Sequence, residues 1–215
     1  MIWIVSMLWA CSDYSVRPEE EVPVEVAKPP GREGDDFGDP PNWNTCGTGY
    51  QADYFNLTAA HPDFEPDEDA EPIAADAIEE LDWWDPDHQA FSRFDPSLDQ
   101  GSNWWPVDEG LADDPEHFSV RWIAWIRVLQ DGNVPFLVGT SNDFWFFVNA
   151  APVITRMGAD QAYLPETVDV NLQAGQYPIE VRYAHRAGDS ALRFRPLDPE
   201  RAIICYPDFS EDTGF

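Results

Sequence analysis

Basic residues are scarce in this chain: 12 Lys+Arg stand against 41 Asp+Glu, for a formal charge of -29 over 215 residues. Such a surface repels phosphate backbones and anionic headgroups, which excludes nucleic acid as a partner and any electrostatic hold on a membrane. Lysine is almost missing, Lys28 being the single example, a bias that fits a GC-rich genome or a saline environment equally. The three cysteines form no C-x-x-C or Cys/His spacing, so nothing points to structural zinc. His61, His88, His117 and His185 contain neither H-E-x-x-H nor an i, i+4 pair. A G-x-S-x-G elbow and a Gly-rich phosphate loop are also missing, and D-E-D-A-E at 67–71 lacks the glycine and closing glutamate of an EF-hand. Carboxylates such as Asp82, Asp85, Asp87, Asp113 and Asp114 are plentiful, but abundance selects no glycosidase pair. The residues therefore read as non-enzymatic. No apolar run is long enough to span a bilayer. Helical periodicity is confined to 70–81, where Ile73, Ala77 and Leu81 recur every four positions.

What is present is aromatic. Ten Trp and thirteen Phe, with an apolar fraction of 43%, separate the chain from acidic disordered sequences, which lack such residues. The length suits one domain with flanking segments. The acidity is uneven, with 24 acids and 4 bases in the first hundred residues against 17 and 8 in the remainder. Positions 1–10 form an apolar run ending in Ala10 just before Cys11, like the end of a bacterial lipoprotein signal, with Cys11 as the lipidated residue. The run is short and has no basic residue ahead of it, which a true start further upstream would explain; the alternative is a buried N-terminal strand. Positions 11–45 are acidic and rich in Pro and Gly, too poor in apolar surface to offset ordering entropy, and read as an extended tether. With Cys11 set aside, Cys46 and Cys205 remain as an even pair that an oxidising compartment would join, the alternative being two buried thiols. The expected organisation is a signal segment 1–10, a tether 11–45, one domain 46–206 and a tail 207–215. The expected location is extracytoplasmic, lipid-anchored to a bacterial membrane or secreted.

From Gly49 onward short apolar runs alternate with turn residues, the texture of an all-β protein. Strands are expected at 51–56, 118–128, 134–139, 144–148, 153–154, 167–172, 177–183 and 191–195. The run at 118–128 carries large apolar residues on both phases and reads as a central strand covered on both faces. The stretch 61–110 reads as a long irregular acidic loop, pinned by Trp83, Trp84, Trp104 and Trp105.

Four blocks stand in order along the chain: G-Y-Q-A-D-Y-F at 49–55, F-S-V-R-W-I-A at 118–124, T-S-N-D at 140–143 and V-N-L-Q-A-G-Q-Y-P-I-E-V-R-Y at 170–183. Over about 49–196 they resemble the domain family named after the protective antigen of anthrax toxin, with features of the related fibro-slime domain. The resemblance implies a two-sheet antiparallel β-sandwich or squashed barrel with long irregular loops, a fold that binds carbohydrate or plays a structural part. In sugar-binding adhesins of the family two consecutive aspartates hold a Ca²⁺ that in turn holds sugar hydroxyls. The resemblance places that pair at Asn142 and Asp143 and a second loop at His185, Arg186 and Asp189, so the implied metal ligands are Asn142, Asp143 and Asp189. An amide in place of one aspartate costs the site a charge. The alternative is that Asn142 and Asp143 serve the turn's own hydrogen bonds. A second departure is Asn149-Ala150 where the family has Asn-Gly, which predicts a longer loop there.

Trp83, Trp84, Trp104 and Trp105, with Tyr163 behind them and Arg186 beside them, are the candidate carbohydrate-binding residues, since indole faces stack on sugar rings; the alternative packs them onto the sandwich. The expected function is an exported, surface-tethered module binding a glycan or matrix polysaccharide, with calcium as the implied cofactor. A structural or assembly domain with a surface protein partner is the second reading.

Overall fold

A computed structural model describes residues 42–43, 47–56, 81–106, 117–158 and 160–206. The segment 1–10, Cys11 and nearly all of the 11–45 stretch lie outside the described residues, as do Cys46, positions 70–80 and the 207–215 tail.

Eleven strands are found among the described residues: β1 Tyr50–Asn56, β2 Gln89–Asp95, β3 Leu98–Ser102, β4 Phe118–Val128, β5 Gly132–Thr140, β6 Asp143–Val148, β7 Ala151–Arg156, β8 Glu166–Leu172, β9 Gly175–His185, β10 Ala191–Pro196 and β11 Ala202–Cys205. One sheet runs β2-β1-β4-β9-β6-β7, with β11 also on β4; the other runs β3-β10-β5-β8. Every pairing is antiparallel, and neither sheet closes on itself, so the chain is a sandwich and not a barrel.

β4 organises the larger sheet because it is long and apolar on both phases. One edge pairs with β9 along its whole length, while the other takes β1 over Phe118 to Ile123 and β11 over Trp125 to Val128. Phe118, Val120, Trp122, Ala124, Ile126 and Val128 face the smaller sheet, yet Ser119, Ile123 and Trp125 on the opposite phase are buried too. The two sheets meet through aromatic rings. Phe194 of β10 lies 4.7 Å from Phe146 of β6 and 5.4 Å from Phe136 of β5, the latter nearly parallel at 6°. Each such ring contributes roughly 1.5–3 kcal/mol through burial.

Two expectations are corrected. The 61–110 stretch is not one irregular loop: β2 and β3 lie within it, each at the edge of its sheet. Their residues are mostly exposed or half-buried, so little apolar alternation marks them. The expected longer loop after β6 is also absent. Asn149 and Ala150 alone join β6 to β7, with φ of 53° and 60°. That is the two-residue hairpin turn of the family kept without its glycine, because Asn enters the left-handed region readily and Ala is held there by the flanking strand pairs.

Candidate functional site

Four connections cross from one sheet to the other at the same end of the sandwich: β3 to β4, β5 to β6, β7 to β8 and β9 to β10. They are tied together by polar groups. Ser141 N–H donates to the Ala191 carbonyl at 3.2 Å, and the Ser141 hydroxyl donates to the Asp189 carbonyl at 2.5 Å while accepting Ala191 N–H at 2.9 Å. Trp104 N–H donates to the Ser190 carbonyl at 3.2 Å, and the Ser190 hydroxyl returns a bond to the Trp104 carbonyl. Gln161 N–H reaches the Ser141 carbonyl at 2.7 Å.

Asn142 sits at the centre, completely buried. Its Oδ1 accepts from the N–H groups of Arg186 and Ala187 at 3.1 and 3.3 Å, and its Nδ2 donates to the carbonyls of Ala187 and Asp189 at 3.0 and 3.1 Å. The amide thus clamps the β9–β10 loop from both sides, a task needing a donor and an acceptor on one side chain. Asp143, also fully buried, opens β6. Its Oδ2 takes Arg186 Nε at 2.5 Å, and its Oδ1 takes Arg186 Nη2 at 3.0 Å and Gly158 N–H at 2.8 Å.

The structure brings Asn142, Asp143 and Arg186 together as the sequence suggests, but their chemistry differs from the expected one. Ca²⁺ needs six to eight oxygen ligands. Here the side-chain oxygens of Asn142 and Asp143 are engaged by N–H donors of the protein, and Asp189 turns its carbonyl, not its exposed carboxylate, toward the cluster. Among the described residues no group of three His, Cys, Asp or Glu side chains is suited to a metal ion. This donor set does not fit calcium. Arg186 is likewise placed against Asp143, with only part of its guanidinium left for a ligand.

The four tryptophans are not brought together. Trp83 is completely buried on the outer face of the larger sheet, with Trp145, Phe147 and Ala184. It offers no open ring face. Trp84 is partly buried there, 5.7 Å edge-on to Trp145 and under the guanidinium of Arg182 at 5.0 Å. Trp104 stacks at 5.9 Å on Trp122 in the main core. Trp105 packs edge-on against His185 at 4.9 Å, at the crossover end and beside Arg186 in sequence. Two tryptophan rings thus border the Asn142 cluster, Trp83 by Arg186 at 5.8 Å and Trp105 against His185, and of the two Trp105 is the one left partly open. Tyr163 lies elsewhere, across Gly139 of β5, where an added Cβ would come within 3.0 Å of its ring.

Sequence reasoning missed the β7–β8 connection. Gly158 donates to Asp143, and the Asp160 carboxylate lies so close to Gly188 that an added Cβ would clash with it. No local motif announces these contacts, because they join residues 15 and 28 positions apart in otherwise ordinary loop sequence. A cavity of about 300 Å³ lies at the opposite end of the sandwich, lined mainly by apolar groups such as Leu98, Phe194 and Ile204.

No curated protein matches the chain. Among solved structures, an anti-sigma factor domain-containing protein is similar at 17% identity and a TM-score of 0.52, covering 79% of this chain but only 51% of that one. The Epithelial Adhesin 9 A domain of Candida glabrata, solved with Galβ1-3GlcNAc, is similar at 15% identity and a TM-score of 0.50, over 80% of this chain and 94% of that one. These likenesses concern the fold. A family model for the PA14 domain matches residues 77–206, more than half of the sequence and everything from β2 to β11, and the chain therefore belongs to the PA14 domain family.

Proposed function

We propose that this protein is an exported carbohydrate-binding module whose ligand end is the group of four sheet-crossing connections around Asn142. The observation that carries the reading is the union of a PA14 domain with a rigid, polar loop cluster at one end of the sandwich, flanked by the partly buried Trp105. Binding groups sit best on loops fixed by a scaffold, since ordering costs are then met by folding and not by the ligand. The adhesin similar in fold was solved with Galβ1-3GlcNAc, which supports a glycan as the partner class. The net charge of -29 favours solubility outside the cell and disfavours polyanionic ligands.

A lipid on Cys11 and the 11–45 stretch would hold the domain away from a bacterial membrane. Incorporation of labelled fatty acid, lost in Cys11→Ser, tests the anchor. A glycan array probed with the full chain tests the binding function. Signal on a defined glycan set is expected, reduced by Trp105→Ala, and an array without signal sinks the carbohydrate reading.

A further inference from the structure

The place where the sequence resemblance implies calcium is filled by a side chain of the protein itself. Asp143 is buried, and a buried carboxylate needs a counter-charge. The Arg186 guanidinium supplies it through two parallel bonds, a geometry that Arg provides and a point charge does not. The same residue is held from a second side, because its backbone N–H donates to Asn142 Oδ1, and its guanidinium lies 5.8 Å from the Trp83 ring. Two of the three implied ligands, Asn142 and Asp143, are thus bonded to one arginine.

We propose that Arg186 is the resident cation of this ligand end, so that the domain works without calcium, and that its guanidinium also contacts the glycan. Nε and Nη2 are spent on Asp143, while Nη1 meets no acceptor among the described residues. The side chain keeps 14% of its surface open. Nη1 is therefore placed to donate to a ligand oxygen, the task that a calcium ion performs by coordination. The ligand class follows from charge: Arg186 and Asp143 sum to zero within a strongly acidic chain, so a neutral glycan suits the site and an acidic polysaccharide does not. The ligand half of this inference rests on the carbohydrate reading above; the calcium half does not.

Two measurements on the full chain separate them. The first titrates the protein with calcium to about 5 mM, beyond the affinity range of extracellular calcium modules, following heat and Tm with and without chelator. No binding heat and an unmoved Tm are expected. A Tm rise of roughly 3 °C or more, reversed by chelator, overturns the inference whether or not any glycan binds. The second measures glycan binding with and without chelator, and repeats it with Arg186→Lys, which keeps the charge but not the fork. Chelator-resistant binding, weakened about tenfold by the substitution, supports the proposal. Binding lost on chelation overturns it while leaving the carbohydrate reading intact, and unchanged affinity in Arg186→Lys removes the arginine's ligand role. If no glycan binds, the carbohydrate reading falls and the calcium titration alone decides whether Arg186 is the resident cation.

Discussion

Arg186 and Asp143, 43 positions apart in the chain, are joined twice, Nε to Oδ2 at 2.5 Å and Nη2 to Oδ1 at 3.0 Å. The pair locks the start of β6 to the connection after β9, so it fixes two of the four crossovers at once. Replacing Arg186 by Met leaves the buried Asp143 carboxylate with Gly158 N–H as its remaining donor among the described residues. The expected loss is about 3–5 kcal/mol in urea denaturation, the usual effect of stranding one half of a buried pair. The double variant Arg186→Met with Asp143→Leu is expected to recover most of it. A cycle with no coupling between the two positions would contradict this role.

Asn142 is expected to be intolerant of its nearest isostere. In Asn142→Asp the group that donates to the carbonyls of Ala187 and Asp189 becomes an acceptor, and a second charge is buried beside Asp143. Lost donors and added repulsion together cost roughly 3 kcal/mol. A change in the urea midpoint worth less than about 0.5 kcal/mol, within the range of ordinary surface substitutions, would mean that the amide does not clamp the loop.

The parts of the fold visible in the sequence are those whose signal is local. β4 announces itself because apolar residues occupy both phases, and β9 because Tyr177, Ile179, Val181 and Tyr183 alternate with Pro178, Glu180 and Arg182. β2 and β3 stay hidden because edge strands need bury little, and theirs show Ser, Arg, Asp and Gln to solvent or leave them half-buried. At the candidate site the positions of Asn142, Asp143 and Arg186 are legible and their use is not. Whether a carboxylate faces a metal or a guanidinium depends on where a residue 43 positions away arrives, and nothing in T-S-N-D encodes that. The same holds for Trp83 and Trp84: both rings pack against Trp145 on one face, yet Trp83 is fully covered and Trp84 only in part, a difference set by the tertiary surroundings and not by the local sequence.

Ala150 carries a backbone strain that one substitution can relieve. Its φ of 60° lies in the left-handed region, which costs an L-residue with a Cβ roughly 1–2 kcal/mol. Ala150→Gly removes that cost but adds freedom to the unfolded chain, so a net gain of about 0.5–1 kcal/mol is expected. Thermal denaturation checks it. A lower Tm in Ala150→Gly would show that the turn is not under strain.

Alkaline pH should destabilise the fold through buried phenols. Burial pushes Tyr50, Tyr54 and Tyr183 above the ordinary tyrosine value, and Asp95, which accepts the Tyr54 hydroxyl at 2.5 Å, raises Tyr54 further. The folded state then holds these protons at pH values where the unfolded chain has released them. The stability they contribute is whole below about pH 10 and is lost as pH rises toward the folded values. Each group adds a slope of about 1.4 kcal/mol per pH unit in that window. Tyr54→Phe should flatten the decline measured by denaturation between pH 10 and 11.5, and an unaltered slope would assign the decline to other groups.

The beginning and the end of the domain are joined beside β4. β1 and β11 share one edge of β4, and just beyond them Gly47 and Tyr206 form an antiparallel bridge, with Tyr206 N–H on the Gly47 carbonyl at 3.0 Å. Cys46 and Cys205 are the residues immediately before each member of that bridge, and Cys205 is completely buried. A disulfide between them would close a loop containing nearly the whole sandwich, and loops of that length gain the most from a cross-link in the chain-entropy account, about 2–5 kcal/mol. The oxidised protein should therefore migrate faster than the reduced one on a non-reducing gel. Cys46→Ser and Cys205→Ser should each abolish that difference and lower the Tm by a similar amount. If Cys205→Ser lowers the Tm and Cys46→Ser does not, Cys205 matters as a packed thiol and the cross-link is wrong.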